Sequence, residues 1–193
     1  TEENFTCYYT YQIPYAEGAS LVSFYVLPEE EDSYPTDEFV ASSFNEDIFS
    51  AYALLSQDQA AYFFENGSVY GSLSDVERTS GYWIKLLNPV NAGFTGYRTD
   101  PNIEYSLYAS SNLISFPSDG YYELQDVLPN ELDGVVHSIL SDENAATYID
   151  GVWYGSLTGL EGFKGYWFKS YEDIDFSFSI PDGVAARAVS ERE

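Results

Sequence analysis

The chain has 193 residues, room for one large domain or two small ones, and 45% of them are hydrophobic, enough for a packed core. Thirty-two acidic against seven basic residues give a formal charge of −25, which excludes a binder of nucleic-acid phosphates and argues against an anionic membrane surface. A single cysteine, Cys7, excludes an internal disulfide framework, and no run reaches the ~18 apolar residues of a membrane-spanning helix.

Residues 1–8 are expected to form an N-terminal arm. With neither an initiator methionine nor a signal peptide, the chain reads as processed, or as a segment of something longer. A first module is expected over residues 9–90. In it Leu21–Val26 is a short apolar run, a buried strand, and the acidic stretch 28–38 is a solvated loop. Phe39, Val40, Phe44, Ile48, Tyr52 and Leu55 fall at helical spacing and predict a helix. Ala60–Phe64 and Val69-Tyr70 are strands about the turn dipeptide Asn66-Gly67. Gly81-Tyr82-Trp83-Ile84-Lys85 is the last strand.

Residues 91–104, rich in turn formers, predict a short linker. A second module is expected over 105–180. Leu113–Phe116 is again a buried strand. Leu124, Val127, Leu128, Leu132, Val135, Val136 and Ile139 predict a helical stretch that Pro129 and Gly134 interrupt. Ala145–Ile149 and Val152-Trp153-Tyr154 flank the turn Asp150-Gly151, and Gly165-Tyr166-Trp167-Phe168-Lys169 follows. Ile174, Phe176, Phe178 and Ile180 share one face of a further strand. Residues 181–193 form a polar tail.

The two modules repeat one another. At an offset of 84, ten of the 22 pairs between 64–85 and 148–169 are identical, which makes the internal repeat the strongest signal in the chain. Upstream, Leu54 aligns with Ile139 and Ser20–Phe24 with Asn112–Phe116, so the excess of the first copy falls in the acidic insertion. The fold class expected is α+β and β-rich: two tandem copies of a small antiparallel β-meander with a short helical insertion.

The order Leu113-Ile114-Ser115-Phe116-Pro117, Gly151-x-Trp153-x-Gly155-Ser156-Leu157, Gly165-Tyr166-Trp167-x-Lys169 resembles a tandem extracellular repeat module. That module occurs in bacterial surface and secreted proteins and in structural proteins of marine phages. The first copy departs from it, with Tyr25 where proline is usual and Val69 where tryptophan is usual. The resemblance implies a non-catalytic structural or interaction module, and it carries no catalytic residues.

Trp83 and Lys85 share one strand face, as do Trp167 and Lys169, and a planar ring beside an ammonium suits stacking of a sugar or docking of a partner. Trp153 joins them as a candidate binding residue. The bland reading is that each Trp covers a small second core and the Lys stem packs along it. The tyrosines, 19 in all and crowded at Tyr8, Tyr9, Tyr11, Tyr15, Tyr121 and Tyr122, suit either an adhesive surface or a core short of methionine.

No cofactor is expected. Calcium is the one ion the acidic loops Glu29–Glu38 and Glu172–Asp175 could take, although neither has EF-hand spacing. His137, the only histidine, aligns with Tyr52 and reads as a helix-face residue, and Glu77 and Glu161 are the only positionally shared acids noted for a carboxylate pair. The chain is therefore expected not to be an enzyme. Its expected role is an extracellular or virion-surface structural protein, such as a decoration or fibre component, that self-associates or seals against a neighbouring structural protein. The alternative is a carbohydrate-binding or adhesin module engaging glycans. Neither nucleic acid nor membrane insertion is expected.

Overall fold

The computed structural model describes residues 9–44 and 49–181. The expected N-terminal arm, the tail after Pro181, Cys7, Tyr8 and Ile48 lie outside the described residues. The first half runs β1 (Tyr9–Tyr15), β2 (Gly18–Ser23), β3 (Val26–Leu27), β4 (Ser33–Pro35), α1 (Thr36–Phe44), β5 (Ala51–Leu55), β6 (Ala60–Phe63), β7 (Val69–Gly71), β8 (Asp75–Glu77), β9 (Gly81–Leu86) and β10 (Val90–Arg98). The second runs β11 (Tyr105–Leu107), β12 (Ser111–Ile114), β13 (Tyr121–Glu123), the single turn α2 (Leu124–Val127), a 3-10 turn (Asn130–Leu132), β14 (Val136–Leu140), β15 (Ala145–Ile149), β16 (Val152–Gly155), β17 (Gly159–Glu161), β18 (Tyr166–Ser170) and β19 (Ile174–Phe176).

This is a β protein and not the α+β fold that helical spacing suggested. About half of the described residues are strand and fewer than a tenth helical. The error has a definite source. β5 shifts register against β9 between Ala51 and Ala53, and β14 shifts against β18 between Val136 and Ser138. The bulge in β14 inserts one residue, so the buried Val136 and Ile139 stand three apart and imitate a helix, while Tyr52 and Leu55 of the first helical pattern lie on β5, outside its core row Ala51/Leu54. Pro129 stops the second helix after one turn, and the left-handed Gly134 (φ 75°) follows the 3-10 turn that comes next. His137 accordingly sits on a bulged strand, stacked on Tyr171 at 4.2 Å, and not on a helix face.

The sheets are also not simple meanders. Their orders are β2-β9-β5-β6-β7 and β12-β18-β14-β15-β16. In each, the Gly-Tyr-Trp strand enters between the first strand and the hairpin pair, so it is hydrogen-bonded on both sides. Small two-stranded ladders, β4-β8 and β13-β17, close each half.

The expected linker is largely a strand. β10 pairs with β1 over its seven residues, from Tyr9 opposite Gly96 to Tyr15 opposite Val90. Ala92 and Phe94 alternate into the core, and the small residues between them satisfy the strand period despite their turn-like composition.

Two apolar cores result. The first holds Phe24, Phe39, Phe44, Tyr82 and Phe94, and the second Tyr105, Phe116, Tyr166, Phe168, Phe176 and Phe178. Tyr82 and Tyr166 are buried to the same depth, and each hydroxyl oxygen accepts a backbone N–H, from Glu77 and Glu161, at 2.7 Å. That bond explains why a tyrosine, with its polar tip, stands at a core position in both copies.

The halves meet about a pseudo-twofold axis. Val22 bridges Lys164, and the equivalent Ile114 bridges Ser80. Ser23 N–H donates to Phe163 O and Ser115 N–H to Thr79 O, both at 3.0 Å. The Ser23 hydroxyl donates to Lys164 O (2.8 Å) and the Ser115 hydroxyl to Arg78 O (2.6 Å). The start of each Gly-Tyr-Trp strand is thus held by the sister half as well as by its own. No helix among the described residues is long and apolar enough to cross a membrane.

Candidate functional site

Along β9, Tyr82, Ile84 and Leu86 are buried while Trp83 and Lys85 lie half-buried on the opposite face. β18 repeats this, with Tyr166 and Phe168 inward and Trp167 and Lys169 outward. The pleat sends alternate side chains to opposite faces, so the apolar inner set fixes the orientation of the outer set.

Cross-strand register then places their neighbours. Trp83 stands opposite Leu21 and Leu55. Lys85 stands opposite Ala53, Ala53 opposite Tyr62, and Tyr62 opposite Tyr70, so one row crosses the outer face to the free edge β7. Tyr62 is 47% exposed, Tyr70 67% and Phe64 49%, and Phe64 meets Tyr70 edge-on at 5.8 Å. In the second sheet the row is Lys169, Ser138, Thr147 and Tyr154, ending on the free edge β16. Trp167 lies between Leu113 and Leu140, and Ile149, Val152 and Tyr154 on the same face are each at least half exposed.

Trp153 does not join either face. It stands opposite Tyr148, their rings 5.2 Å apart, and packs against the second core. The structure therefore brings Trp83 together with Lys85, and Trp167 with Lys169, and separates Trp153 from both. Sequence reasoning missed Tyr62, Phe64, Tyr70, Ile149, Val152 and Tyr154. Pairing the two hairpins residue by residue outward from their turns would have found them.

The cations are few and mostly committed. Arg78, 3% exposed, donates to Glu29 O (2.6 Å), Glu31 O (2.8 Å), Tyr97 O (3.1 Å) and Thr99 Oγ1 (3.3 Å). Burial lowers its pKa, and the nearby Asp32, Glu31 and Glu30 oppose that. The acidic insertion thus folds its carbonyl oxygens around a guanidinium. Arg98 pairs with Asp119 at 2.9 Å, and Lys164 with Glu161 at 2.7 Å. Among the described lysines only Lys85 and Lys169 have no ion pair, and both stand on the outer faces.

The N-terminal tyrosines among the described residues are spent inside the molecule. Tyr11 and Tyr15 pack on the first core. The Tyr11 hydroxyl donates to Asp119 Oδ2 (2.7 Å) and accepts from Arg98 Nε (2.7 Å), and the Arg98 guanidinium carbon lies 3.7 Å over the Tyr9 ring. This cluster clasps the two halves together.

Between the halves lies a polar cleft of about 500 Å³, lined by Gln57, Asp58, Asp75, Glu77, Glu104 and Asn112 among others. Its counterpart in the second half, of about 140 Å³, contains Glu143, Glu161 and Lys164. Glu77 accepts the Ser80 hydroxyl at 3.0 Å where Glu161 meets Lys164. Among the described residues no three His, Cys, Asp or Glu side chains converge as a metal site. In the second acidic loop, Asp173 accepts the Ala109 N–H at 2.7 Å.

Compared with protein-family models, with curated proteins and with solved structures, the chain matches none.

Proposed function

We propose that the protein is a non-enzymatic structural or interaction protein that docks through the outer faces of its two five-stranded sheets. The observation that supports this is a patch at equivalent places in both halves, each with exposed large hydrophobic side chains near a lysine without an ion pair and ending on a sheet edge: Tyr62, Phe64 and Tyr70 in the first, Ile149, Val152 and Tyr154 in the second. Exposed aromatic side chains supply contact area at low entropy cost, and an open edge strand offers backbone groups for pairing. The strongly acidic remainder of the surface opposes non-specific contact and suits an extracellular or virion-surface setting of high ionic strength. A decoration or fibre component of a larger particle is the role that best joins these features, with a second copy or a neighbouring structural protein as partner.

Light scattering at seawater-like ionic strength tests the self-associating form of this reading. A defined oligomer or filament that dissociates in the Tyr62→Ser, Tyr70→Ser, Tyr154→Ser variant is the expected result. A monomer at every concentration and salt level overturns it.

A second reading, a glycan-binding module, is favoured by Trp83 and Trp167, each half-buried and followed two residues later by a free lysine. Glycan binding lost in Trp83→Ala and Trp167→Ala but retained in Trp153→Ala would establish it.

A further inference from the structure

Asn-Gly occurs once in the chain, at Asn66-Gly67, on the tip of the β6–β7 hairpin. Both residues are exposed. The Asn66 side-chain oxygen accepts two hydrogen bonds, from the Ser68 N–H at 3.0 Å and the Ser68 hydroxyl at 2.7 Å. This is an Asx turn closed a second time by the hydroxyl. Two donors on one amide oxygen draw electron density from Cγ and make it a better electrophile. Gly67 has φ +80°, and nothing lies within 4 Å of the place where a Cβ would be, so no side chain or neighbour crowds the Cα next to the attacking nitrogen.

From this geometry we propose that Asn66 is a site of spontaneous deamidation through a succinimide, giving aspartate and isoaspartate. The Gly67 backbone nitrogen gives up its proton to solvent and attacks Asn66 Cγ. The N–Cγ bond forms and the Cγ–Nδ2 bond breaks. The side-chain nitrogen leaves as ammonia, and the five-membered imide closes. Water then adds to either imide carbonyl. Opening at one leaves aspartate, and opening at the other leaves isoaspartate, with the main chain one methylene longer. The sum is amide plus water going to carboxylate plus ammonium, with no redox change.

The remaining eight asparagines are each followed by a residue whose side chain crowds the attacking nitrogen or, at Pro89, by one whose nitrogen has no proton to lose. Asn112 is in addition buried, its amide donating to Tyr108 O, Ser110 O and Phe168 O. One contact opposes the reaction: the Gly67 N–H donates to Phe64 O at 2.9 Å and must open first. Hairpin tips open readily, because few buried contacts hold them. The sister hairpin carries Asp150-Gly151 at the equivalent position, so a carboxylate at such a tip is compatible with this fold. Conversion at Asn66 would add one negative charge beside the exposed Phe64 and Tyr70.

Asn66-Gly67-Ser68 is also a glycosylation acceptor pattern, but glycosylation needs a transferase and a donor, whereas the imide route needs only water. The test is to incubate the purified chain at mildly alkaline pH, digest it and map the peptides by mass. An isoaspartyl methyltransferase then identifies the isomer. Conversion of Asn66, with a gain of one dalton and isoaspartate as the larger product, while the other eight asparagines stay intact, is the expected result. Gln at position 66 (Asn66→Gln) should abolish it, because its ring closure needs six atoms. If Asn66 stays intact after a free peptide of the same hairpin has fully converted, or if Asn66 carries a glycan in the natively produced chain, the proposal is overturned.

Discussion

Phe163 stacks on Phe94 across the boundary between the two halves, ring centroids 5.4 Å apart with an interplanar angle of 26°. Phe163 belongs to the second half by sequence and to the first core by packing, where it also meets Tyr11 at 5.1 Å and Tyr25 at 6.0 Å. Its backbone is left-handed, φ 62°, a conformation that costs a side-chain-bearing residue about 1–2 kcal/mol and persists because the ring is held in the core. Phe163→Ala should destabilise the protein by about 3–5 kcal/mol. Heat and urea should give one transition by both fluorescence and circular dichroism. Two separated transitions would mean that the halves fold independently.

Gly81 and Gly165 stand back to back at the pseudo-twofold axis. A Cβ on Gly165 would lie 2.7 Å from Val22 O and 3.4 Å from the Gly81 Cα, and one on Gly81 would lie 2.8 Å from Ile114 O. The nearest neighbour in each case is a backbone oxygen, which cannot turn away, and for Gly81 the Leu113 side chain at 2.9 Å crowds the place as well. Gly81→Ala and Gly165→Ala should each cost about 1–3 kcal/mol, with similar effects on thermal midpoint. The double variant should deviate from additivity, since the two sites touch.

Arg78 holds the acidic insertion by donating to Glu29 O and Glu31 O. Arg78→Ala should cost about 2–3 kcal/mol and release residues 28–33 to proteolysis before the rest of the chain. Arg78→Lys should rescue only part of this, because a single ammonium cannot span the separated carbonyls that the guanidinium fork reaches. Equal protease resistance in all three proteins would refute the clamp.

Alkaline pH should unfold the protein through its buried phenols. Burial raises the pKa values of Tyr15, Tyr82, Tyr105 and Tyr166, and pushes Tyr25 up to about 12 against the opposing Arg98 charge. A raised value means that the folded chain holds the phenolic proton more tightly than the unfolded chain. Stability from these sites is therefore complete below the unfolded tyrosine value of about 10 and is lost as pH climbs through the folded values. Thermal midpoints should be insensitive to these groups at neutral pH and fall above pH ~10, together with a cooperative rise in tyrosinate absorbance. A gradual, non-cooperative rise would contradict it.

Residue-level features were legible where they are local. The turns at Asn66-Gly67 and Asp150-Gly151 lie between paired strands, with Gly67 at φ 80° and Asp150-Gly151 at φ 49° and 87°. The alternation of Phe176 and Phe178 marks buried residues of one face, although the paired strand ends at Phe176. Residues 84 apart, such as Tyr82 and Tyr166, occupy the same strand position and make the same bond. The candidate pairs Trp83/Lys85 and Trp167/Lys169 were readable because strand alternation depends only on neighbours along the chain.

By itself, then, the sequence determined the turns, the strand faces and the correspondence between its two halves, because each rests on spacings of a few residues or on identity at a fixed offset. Tertiary structure decided what depends on partners far along the chain. It set the bulges at Tyr52 and His137, which break the strand period and disguise β5 and β14 as helix. It made Val90–Arg98 a strand by giving it β1 to pair with. It placed Phe163 in the other half's core. In each case the deciding quantity is a hydrogen-bonded or packed neighbour tens of residues away, and local periodicity carries no record of it.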